Sequence, residues 1–171
     1  MAVPPQGHRS VEGPMHRIRL LDGDGDPPMA VLTIRTYPAT DSQIPLCRHA
    51  ARETVAGHRT FDPDTVGLLL TELATNAVKH SSSPAFTVAV ALTERARLLV
   101  AVVDGGHGEP KPHIRDAGLS ATGGRGLVLV EALAHRWGVD QEGGGMLVWF
   151  ELAPEAERAK ECASVAGVSG Q

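Results

Sequence analysis

The stretch LLLTELATNAVKHSSS, residues 68–83, begins as an apolar helix and then carries four polar residues, Glu72, Asn76, Lys79 and His80. At 100° per residue, Glu72 and Asn76 lie one turn apart, and the other two continue the same stripe. Asparagine is a poor residue in the middle of a helix, so it usually has a side-chain role there. The stripe is therefore either the solvated edge of an amphipathic helix or one wall of a site.

Composition limits the class of protein. The 171 residues are enough for one globular domain with its own core. Sixteen basic and 20 acidic residues give a net charge of −4, which provides no positive field for a nucleic-acid backbone. Cys47 and Cys162 lack metal-ligand spacing and fit a reducing compartment. No apolar run is long enough to cross a bilayer. We therefore expect a cytoplasmic protein without nucleic-acid or membrane partners.

The same composition divides the chain into three parts. Residues 1–27 are rich in Pro, Gly and Asp and have no apolar period, so they are predicted to form a flexible N-terminal arm. Residues 28–153 carry the periodic segments and form the predicted domain. Residues 154–171 are predicted to be a C-terminal tail.

Two helices follow a first strand in the predicted domain. Residues 29–37 alternate and are rich in β-branched side chains, which predicts a strand. Asp41 is expected to cap a helix that runs to about His58. Asp62 and Pro63 are good residues for the N-cap and first position of the second helix. The predicted core stripe of that helix is Val66, Leu69, Leu70, Leu73 and Ala77.

The second half of the chain alternates hairpins with one more helix. Residues 85–92 and 97–104 predict an antiparallel hairpin, residues 125–135 a helix, and residues 136–141 and 145–153 a final hairpin. The order β-α-α-β-β-α-β-β predicts an α/β (α+β) two-layer sandwich. Its helices are expected on one face of a mixed, mostly antiparallel sheet.

Two glycine-rich segments favour a functional role for the polar stripe. In DGGHG, residues 104–108, a carboxylate ends an apolar strand, and glycines allow a ligand to approach the backbone. GGRGL, residues 123–127, leads directly into a helix whose free amides can face an anion such as phosphate. Each glycine-rich segment alone is weak evidence for a ligand site. Together with the polar stripe before them, and in this order, they form a specific combination.

The combination resembles the GHKL (Bergerat-fold) ATP-binding superfamily. Within it, the chain is similar to the RsbW- and SpoIIAB-like anti-sigma-factor serine kinases, especially the single-domain ATP-binding regulators of actinomycetes. ELATNAVKH resembles the N box, DGGHG the G1 box and GGRGL the G2 box, and the resemblance covers about residues 29–153. It implies the Bergerat fold, with ATP and Mg²⁺ as cofactors.

The resemblance also implies a role for each matching residue. Glu72 would be the general base, Asn76 would coordinate Mg²⁺ between the ATP phosphates, and Asp104 would accept the adenine amino group. Gly106 and Gly108 would shape the adenine pocket. The implied backbone donors to the triphosphate, beside a lid at about residues 109–124, are Gly124, Arg125, Gly126 and Leu127. For Lys79, a phosphate contact and an ordinary surface position are equally consistent with the sequence.

The last hairpin departs from the family pattern. Relatives usually carry a Thr near the adenine, whereas GGGMLVWF, residues 143–150, is expected to place Leu147 there. One hydrogen bond to the nucleotide base would then be missing.

These residues predict an ATP- and Mg²⁺-dependent anti-sigma-factor serine/threonine protein kinase. Its substrate would be an anti-anti-sigma (STAS-type) protein, a sigma factor would be its second partner, and relatives suggest a homodimer. The alternative is a non-catalytic ATP-binding interaction module. Glu72 favours the kinase because a binding module needs no base, whereas the missing Thr favours the module. A histidine kinase is a further alternative. It needs a dimerising helical domain before the ATP domain, but only one helix is predicted before Asp62. His49 would be a weak phospho-acceptor candidate for it.

Overall fold

One antiparallel sheet forms the centre of the molecule, as seen in a computed structural model that describes residues 30–104, 125–142 and 145–157. Its strands are β1 (Ala30–Pro38), β2 (Ala85–Leu92), β3 (Leu98–Asp104), β4 (Arg136–Glu142) and β5 (Gly145–Leu152). Their order is β1-β2-β3-β5-β4. All four described pairings are antiparallel, which confirms the predicted, mostly antiparallel sheet. The described strands include no parallel pair, although a mixed sheet was expected.

Three α-helices pack on one face of this sheet. They are α1 (Ile44–Ala56), α2 (Pro63–His80) and α3 (Arg125–Leu133). The predicted two-layer sandwich is therefore confirmed. None of the helices in the described ranges combines the length and apolar character needed to span a membrane.

Helix α2 begins and packs as its sequence predicts. The side chain of Asp62 accepts hydrogen bonds from the backbone N–H groups of Asp64 and Thr65, at 3.1 and 3.0 Å, and Pro63 occupies the first turn. Four of the five predicted core residues are at most 1% exposed, and the fifth, Ala77, packs against the same cluster. The polar residues on the other sides of α2 are consequently left for other uses.

Helix α1 begins later than the sequence suggested. Residues 41–43 form a 3-10 turn, and the helix starts at Ile44 without a side-chain cap from Gln43. With Asp41 as N-cap, the first helical hydrogen bond would require an N–H group at position 45. That residue is Pro45, which has none. The prediction that Asp41 caps this helix is therefore wrong.

The sheet is apolar on both faces. The helix-side cluster includes Val100 and Val102 of β3, whereas Leu99, Ala101 and Val103 belong to a second cluster on the opposite face. Successive strand residues alternate between faces. Asp104, which follows Val103, therefore lies on the helix side of the sheet. This alternation places the carboxylate at the end of β3 on the same side as α2.

The C-terminal part of the chain also contacts the domain. Beyond β5, the backbone N–H of Glu155 donates to the carbonyl of Thr60 at 3.1 Å, and the Glu157 carboxylate accepts from Arg97 at 2.6 Å. Residues 154–157 of the predicted tail are thus fixed against the α1–α2 and β2–β3 connections. The predicted arm and the rest of the tail lie outside the described residues.

Candidate functional site

Three elements meet at one edge of the sheet. Helix α2 ends at His80, and a connection of only four residues leads to β2. Phe86 of β2 pairs with Asp104, the last residue of β3. The C-terminal part of α2 and the end of β3 therefore lie at the same edge. Helix α3 is next to α2 there, because Gly126 in its first turn contacts Glu72.

The contact between Glu72 and Gly126 is very close. A β-carbon added to Gly126 would overlap Glu72 Oε2 and would stand 3.2 Å from both the Cβ and the Cδ of that side chain. Glu72 is only partly buried. Its carboxylate thus lies against the N-terminal turn of α3, on a residue that is not fully enclosed by the described part of the chain.

Asn76 lies one turn beyond Glu72 on the same helix and is also partly buried. Its side-chain oxygen is a hard ligand of the type that Mg²⁺ accepts. Lys79 and His80 are exposed in the last turn of α2, where positive charge is favourable to the helix dipole. A phosphate contact by Lys79 stays a prediction.

Asp104 is held by the neighbouring strand. Its Oδ1 accepts a hydrogen bond of 2.8 Å from the backbone N–H of Met146, and the residue is partly buried. Among the described residues, Oδ2 makes no hydrogen bond. The described contact therefore orients the carboxylate through Oδ1, and Oδ2 is the oxygen that could accept from a donor group of a ligand.

Several predicted site residues lie outside the described ranges, namely Gly106, Gly108 and Gly124, together with the predicted lid. Arg125 and Leu127 are described as residues of the first turn of α3, and Leu127 is partly buried. The structure thus brings Glu72 together with Gly126 of α3 and separately orients Asp104 at the end of β3. The individual roles of these residues remain predictions.

Met146 is a site residue that the sequence did not indicate, and the predicted position of Leu147 near the adenine is wrong. Leu147 is 1% exposed in the second cluster, on the face opposite the helices, so it does not lie beside Asp104 on the helix side. Met146 lies on the helix side by strand alternation, and its backbone binds Asp104. Val148 and Phe150 of the helix-side cluster share its face, but Leu147 and Trp149 make the other face equally apolar, so the sequence pattern carried no signal for Met146.

Other reactive side chains lie away from this edge. Burial raises the pKa of the Cys47 thiol to about 11, so it is a poor nucleophile. His49, the weak phospho-acceptor candidate, is exposed on α1, where its Nε2 lies 3.3 Å from Glu53 Oε1. Within the described parts of the chain, no group of three His, Cys, Asp or Glu residues could hold a metal ion.

A family model described as histidine kinase-like ATPase domain matches residues 37–152. The chain belongs to this family. The match includes α1, α2, the whole sheet apart from the beginning of β1, and the edge where Glu72, Asp104 and Gly126 lie. The chain therefore has a GHKL-type ATPase fold. Its function is ATP-binding and kinase-like.

Solved structures with the same fold include the RsbU and RsbW domains of Rv1364c from Mycobacterium tuberculosis. That match has 20% identity and a TM-score of 0.53, and it covers 71% of this chain and 32% of that one. The chain thus spans about a third of that protein. At this identity, the match supports the fold alone.

Two histidine kinase structures are more distant in shape. The histidine kinase domain of the EL346 blue-light activated histidine kinase from Erythrobacter litoralis has 20% identity and a TM-score of 0.46, with 82% of this chain and 70% of that chain covered. The histidine kinase AdeS from Acinetobacter baumannii has 13% identity and a TM-score of 0.46, with 82% and 75% covered. No protein of curated function gave a significant match.

Proposed function

We propose that the protein is an ATP- and Mg²⁺-dependent anti-sigma-factor serine/threonine kinase. The observation that carries this proposal is the position of Glu72. Its carboxylate lies against the first turn of α3 and one helical turn from Asn76, at the edge where Asp104 ends β3. A binding module would have no need for a carboxylate at this position.

The described residues fit a bound nucleotide and cation. Asp104 Oδ1 is occupied by Met146, which leaves Oδ2 to accept a hydrogen bond from the adenine amino group. The Asn76 side-chain oxygen can coordinate Mg²⁺. The first turn of α3 has backbone N–H groups without helical partners, which can bind phosphate oxygens. When bound, Mg-ATP supplies the phosphoryl group and the cation that neutralises its charge.

Glu72 then acts on the protein substrate. Its carboxylate would accept the proton of a serine or threonine hydroxyl while that oxygen takes over the γ-phosphoryl group and ADP leaves. Partial exposure is consistent with this role, because the hydroxyl must reach the carboxylate from solvent. Asn76 would contribute by holding the cation in place, since its amide is uncharged and transfers no proton.

The proposed substrate is an anti-anti-sigma (STAS-type) protein, and the proposed regulated partner is a sigma factor. The support is the combination of the three sequence boxes with the fold that the chain shares with the RsbW-containing structure. The homodimer implied by the resemblance and a cytoplasmic location belong to the same proposal.

One observation favours a second candidate, an ATP-binding module that holds a partner without phosphorylating it. Neither Met146 beside Asp104 nor Leu147 on the other face has a hydroxyl group. The hydrogen bond that relatives make to the nucleotide base through a Thr is therefore missing. Losing one hydrogen bond to the nucleotide base favours a module that binds ATP and a partner over a kinase that transfers the phosphoryl group efficiently.

A single-turnover assay separates the two functions. Wild-type protein and Glu72→Gln are incubated with labelled Mg-ATP and the STAS-type proteins of the same genome, and ATP affinity is measured in parallel. Glu72→Gln keeps the size of the side chain but removes the proton acceptor. Transfer should fall about 10²- to 10⁴-fold while ATP affinity stays within about threefold.

The matched control is Glu131→Gln, which alters an exposed glutamate of α3. It should leave both transfer and affinity unchanged. If Glu72→Gln transfers phosphate as fast as wild type, Glu72 is not the base. If wild type binds Mg-ATP but phosphorylates none of the tested proteins, the binding module is the better description.

A further inference from the structure

The position that a β-carbon would take on Gly126 is occupied by the side chain of Glu72. The β-carbon of any other residue would overlap Glu72 Oε2 and approach the Cβ and Cδ atoms at 3.2 Å. Cβ atoms approach other heavy atoms at such distances only when the neighbour shifts. The Glu72 Cβ is fixed by the α2 backbone, so the part that can shift is the carboxylate end of the side chain.

Glycine is costly at this position unless it has a specific use. It has low helix propensity, and alanine is normally preferred within a helix. A glycine that opens a helix beside phosphate is usually explained by close approach of the ligand. Here the space that glycine leaves open is occupied by a side chain of the protein itself. By contrast, a β-carbon on Gly57 would meet nothing within 4 Å.

We propose that Gly126 is a positioning residue for Glu72. The glycine lets α3 lie directly against the carboxylate and thereby fixes its place relative to the first turn of α3. This inference rests on the proposed function, in which Glu72 is the base. It assigns to Gly126 a role toward the protein's own side chain, in addition to any backbone contact with nucleotide.

The expected consequence follows from the geometry of proton transfer. A general base must come within about 2.6–3.2 Å of the oxygen that it deprotonates. A displacement of about 1 Å can reduce the rate on the order of 100-fold. A methyl group at position 126 therefore affects transfer through Glu72 and leaves the backbone N–H groups of α3 in place. Transfer should be sensitive to this change, and nucleotide affinity should not.

The kinetic test compares Gly126→Ala with Gly57→Ala, a glycine with open space around its Cβ position. Gly126→Ala should lower the single-turnover rate at saturating Mg-ATP by about 10- to 100-fold, with the Mg-ATP affinity within about threefold of wild type. Gly57→Ala should leave both values unchanged. If Gly126→Ala weakens Mg-ATP binding as much as it slows transfer, the glycine serves the nucleotide and the inference is overturned.

A stability cycle tests the contact without any activity. Gly126→Ala should be less favourable for the Tm of the wild-type protein than for the Tm of the Glu72→Ala variant, because the obstructing carboxylate is absent from the variant and alanine favours the helix. Recovery of a folded protein in the double variant gives the same answer if Gly126→Ala alone is unfolded. An equal change of Tm in both backgrounds overturns the inference.

The cycle also distinguishes two kinds of failure. Wild-type protein that transfers no phosphate contradicts the proposed function, whereas the Tm measurements still decide whether Gly126 and Glu72 are coupled. Coupling in Tm combined with normal transfer by Gly126→Ala would contradict the positioning role but leave the proposed kinase intact.

Discussion

The Oδ1 atom of Asp104 accepts a hydrogen bond from the backbone N–H of Met146 at 2.8 Å, and this contact joins residues 42 positions apart in the sequence. Regular pairing between β3 and β5 ends at Val103 and Leu147. The Asp104 side chain therefore extends the connection between the two strands by one step, to the edge of the sheet. The same carboxylate that is proposed to bind adenine also holds the strand that borders the site.

The double role of Asp104 predicts different results for two substitutions. Asp104→Asn keeps a side-chain oxygen that can accept from Met146, so the fold should be retained. Asp104→Ala removes that acceptor and should cost about 1 kcal/mol of unfolding free energy. Both changes should reduce the preference for ATP over GTP, because the carboxylate oxygen proposed to accept the adenine amino group is lost.

Calorimetric titrations with Mg-ATP and Mg-GTP, beside urea unfolding, measure these effects. Asp41→Asn, at an exposed position in the 3-10 turn before α1, is the control and should change neither quantity. Unaltered base preference in Asp104→Asn would argue against an adenine contact at this residue.

The two residues at the start of β5 predict opposite outcomes for an introduced threonine. Leu147 is 1% exposed in the second cluster, so Leu147→Thr buries a hydroxyl and should cost about 2–4 kcal/mol of stability. Met146 is partly buried on the helix side. Met146→Thr should be tolerated and should tighten Mg-ATP binding about 3- to 10-fold through a new hydrogen bond.

Thermal unfolding and nucleotide titration of the two variants test this difference. Met146→Leu is the matched control, since it changes shape without adding a hydroxyl. Tighter Mg-ATP binding by Leu147→Thr, without a loss of stability, would show that the side-chain assignment on β5 is reversed.

The ion pair between Arg136 and Glu151 predicts a further effect on stability. Arg136 Nε and an η nitrogen donate to the two Glu151 oxygens at 3.0 and 2.9 Å, and the Glu151 side chain is only 3% exposed. Removing the arginine leaves a buried carboxylate without its bidentate partner. Because Arg136 itself is half exposed, we expect Arg136→Met to cost about 2–3 kcal/mol.

Urea unfolding of Arg136→Met measures this cost. Arg59→Met, in the exposed loop between α1 and α2, removes a positive charge elsewhere and should change stability by less than about 0.5 kcal/mol. If the two variants lose the same amount of unfolding free energy, the pairing of Arg136 with Glu151 adds nothing to the effect of removing any one positive charge.

The fold could be predicted because its signals are local. The side chain of Asp62 caps the helix that Pro63 begins, and the apolar period of α2 identifies its buried side from the sequence alone. The start of α1 was mispredicted because Asp41 matches the preferred N-cap residues. A cap at Asp41 would need a backbone N–H group at position 45, and Pro45 has none.

The site was only partly predictable because some of its contacts are not local. Leu147 and Met146 could not be told apart by hydrophobic alternation, since β5 is apolar on both faces of the sheet. Only the register with β3 shows that Met146 reaches Asp104. Likewise, GGRGL predicted a helix start at position 125, but the contact of Gly126 with Glu72 depends on how α3 packs against α2.

A final prediction concerns the dependence of stability on pH. The hydrogen bond from Arg97 lowers the pKa of Glu157 below its ordinary value of 4.5. A carboxyl group with a lower pKa in the folded protein stabilises that state at pH values above its unfolded pKa. The stabilisation is lost as pH falls through the folded pKa. The Tm of Glu157→Gln should therefore lie below that of wild type at pH 7, and this difference should shrink as the pH falls below about 4.5.

Thermal unfolding from pH 7 to pH 3 tests this dependence, with Glu155→Gln as the matched control. Glu155 is an exposed glutamate two positions earlier, and its described contact is made by its backbone N–H. Its substitution should give a small Tm difference that lacks the same trend with pH. A Tm difference for Glu157→Gln that stays constant across the range, or that grows in acid, would contradict a stabilising pair with Arg97. The first residues beyond β5 would then be held to the domain mainly by the hydrogen bond from Glu155 to Thr60.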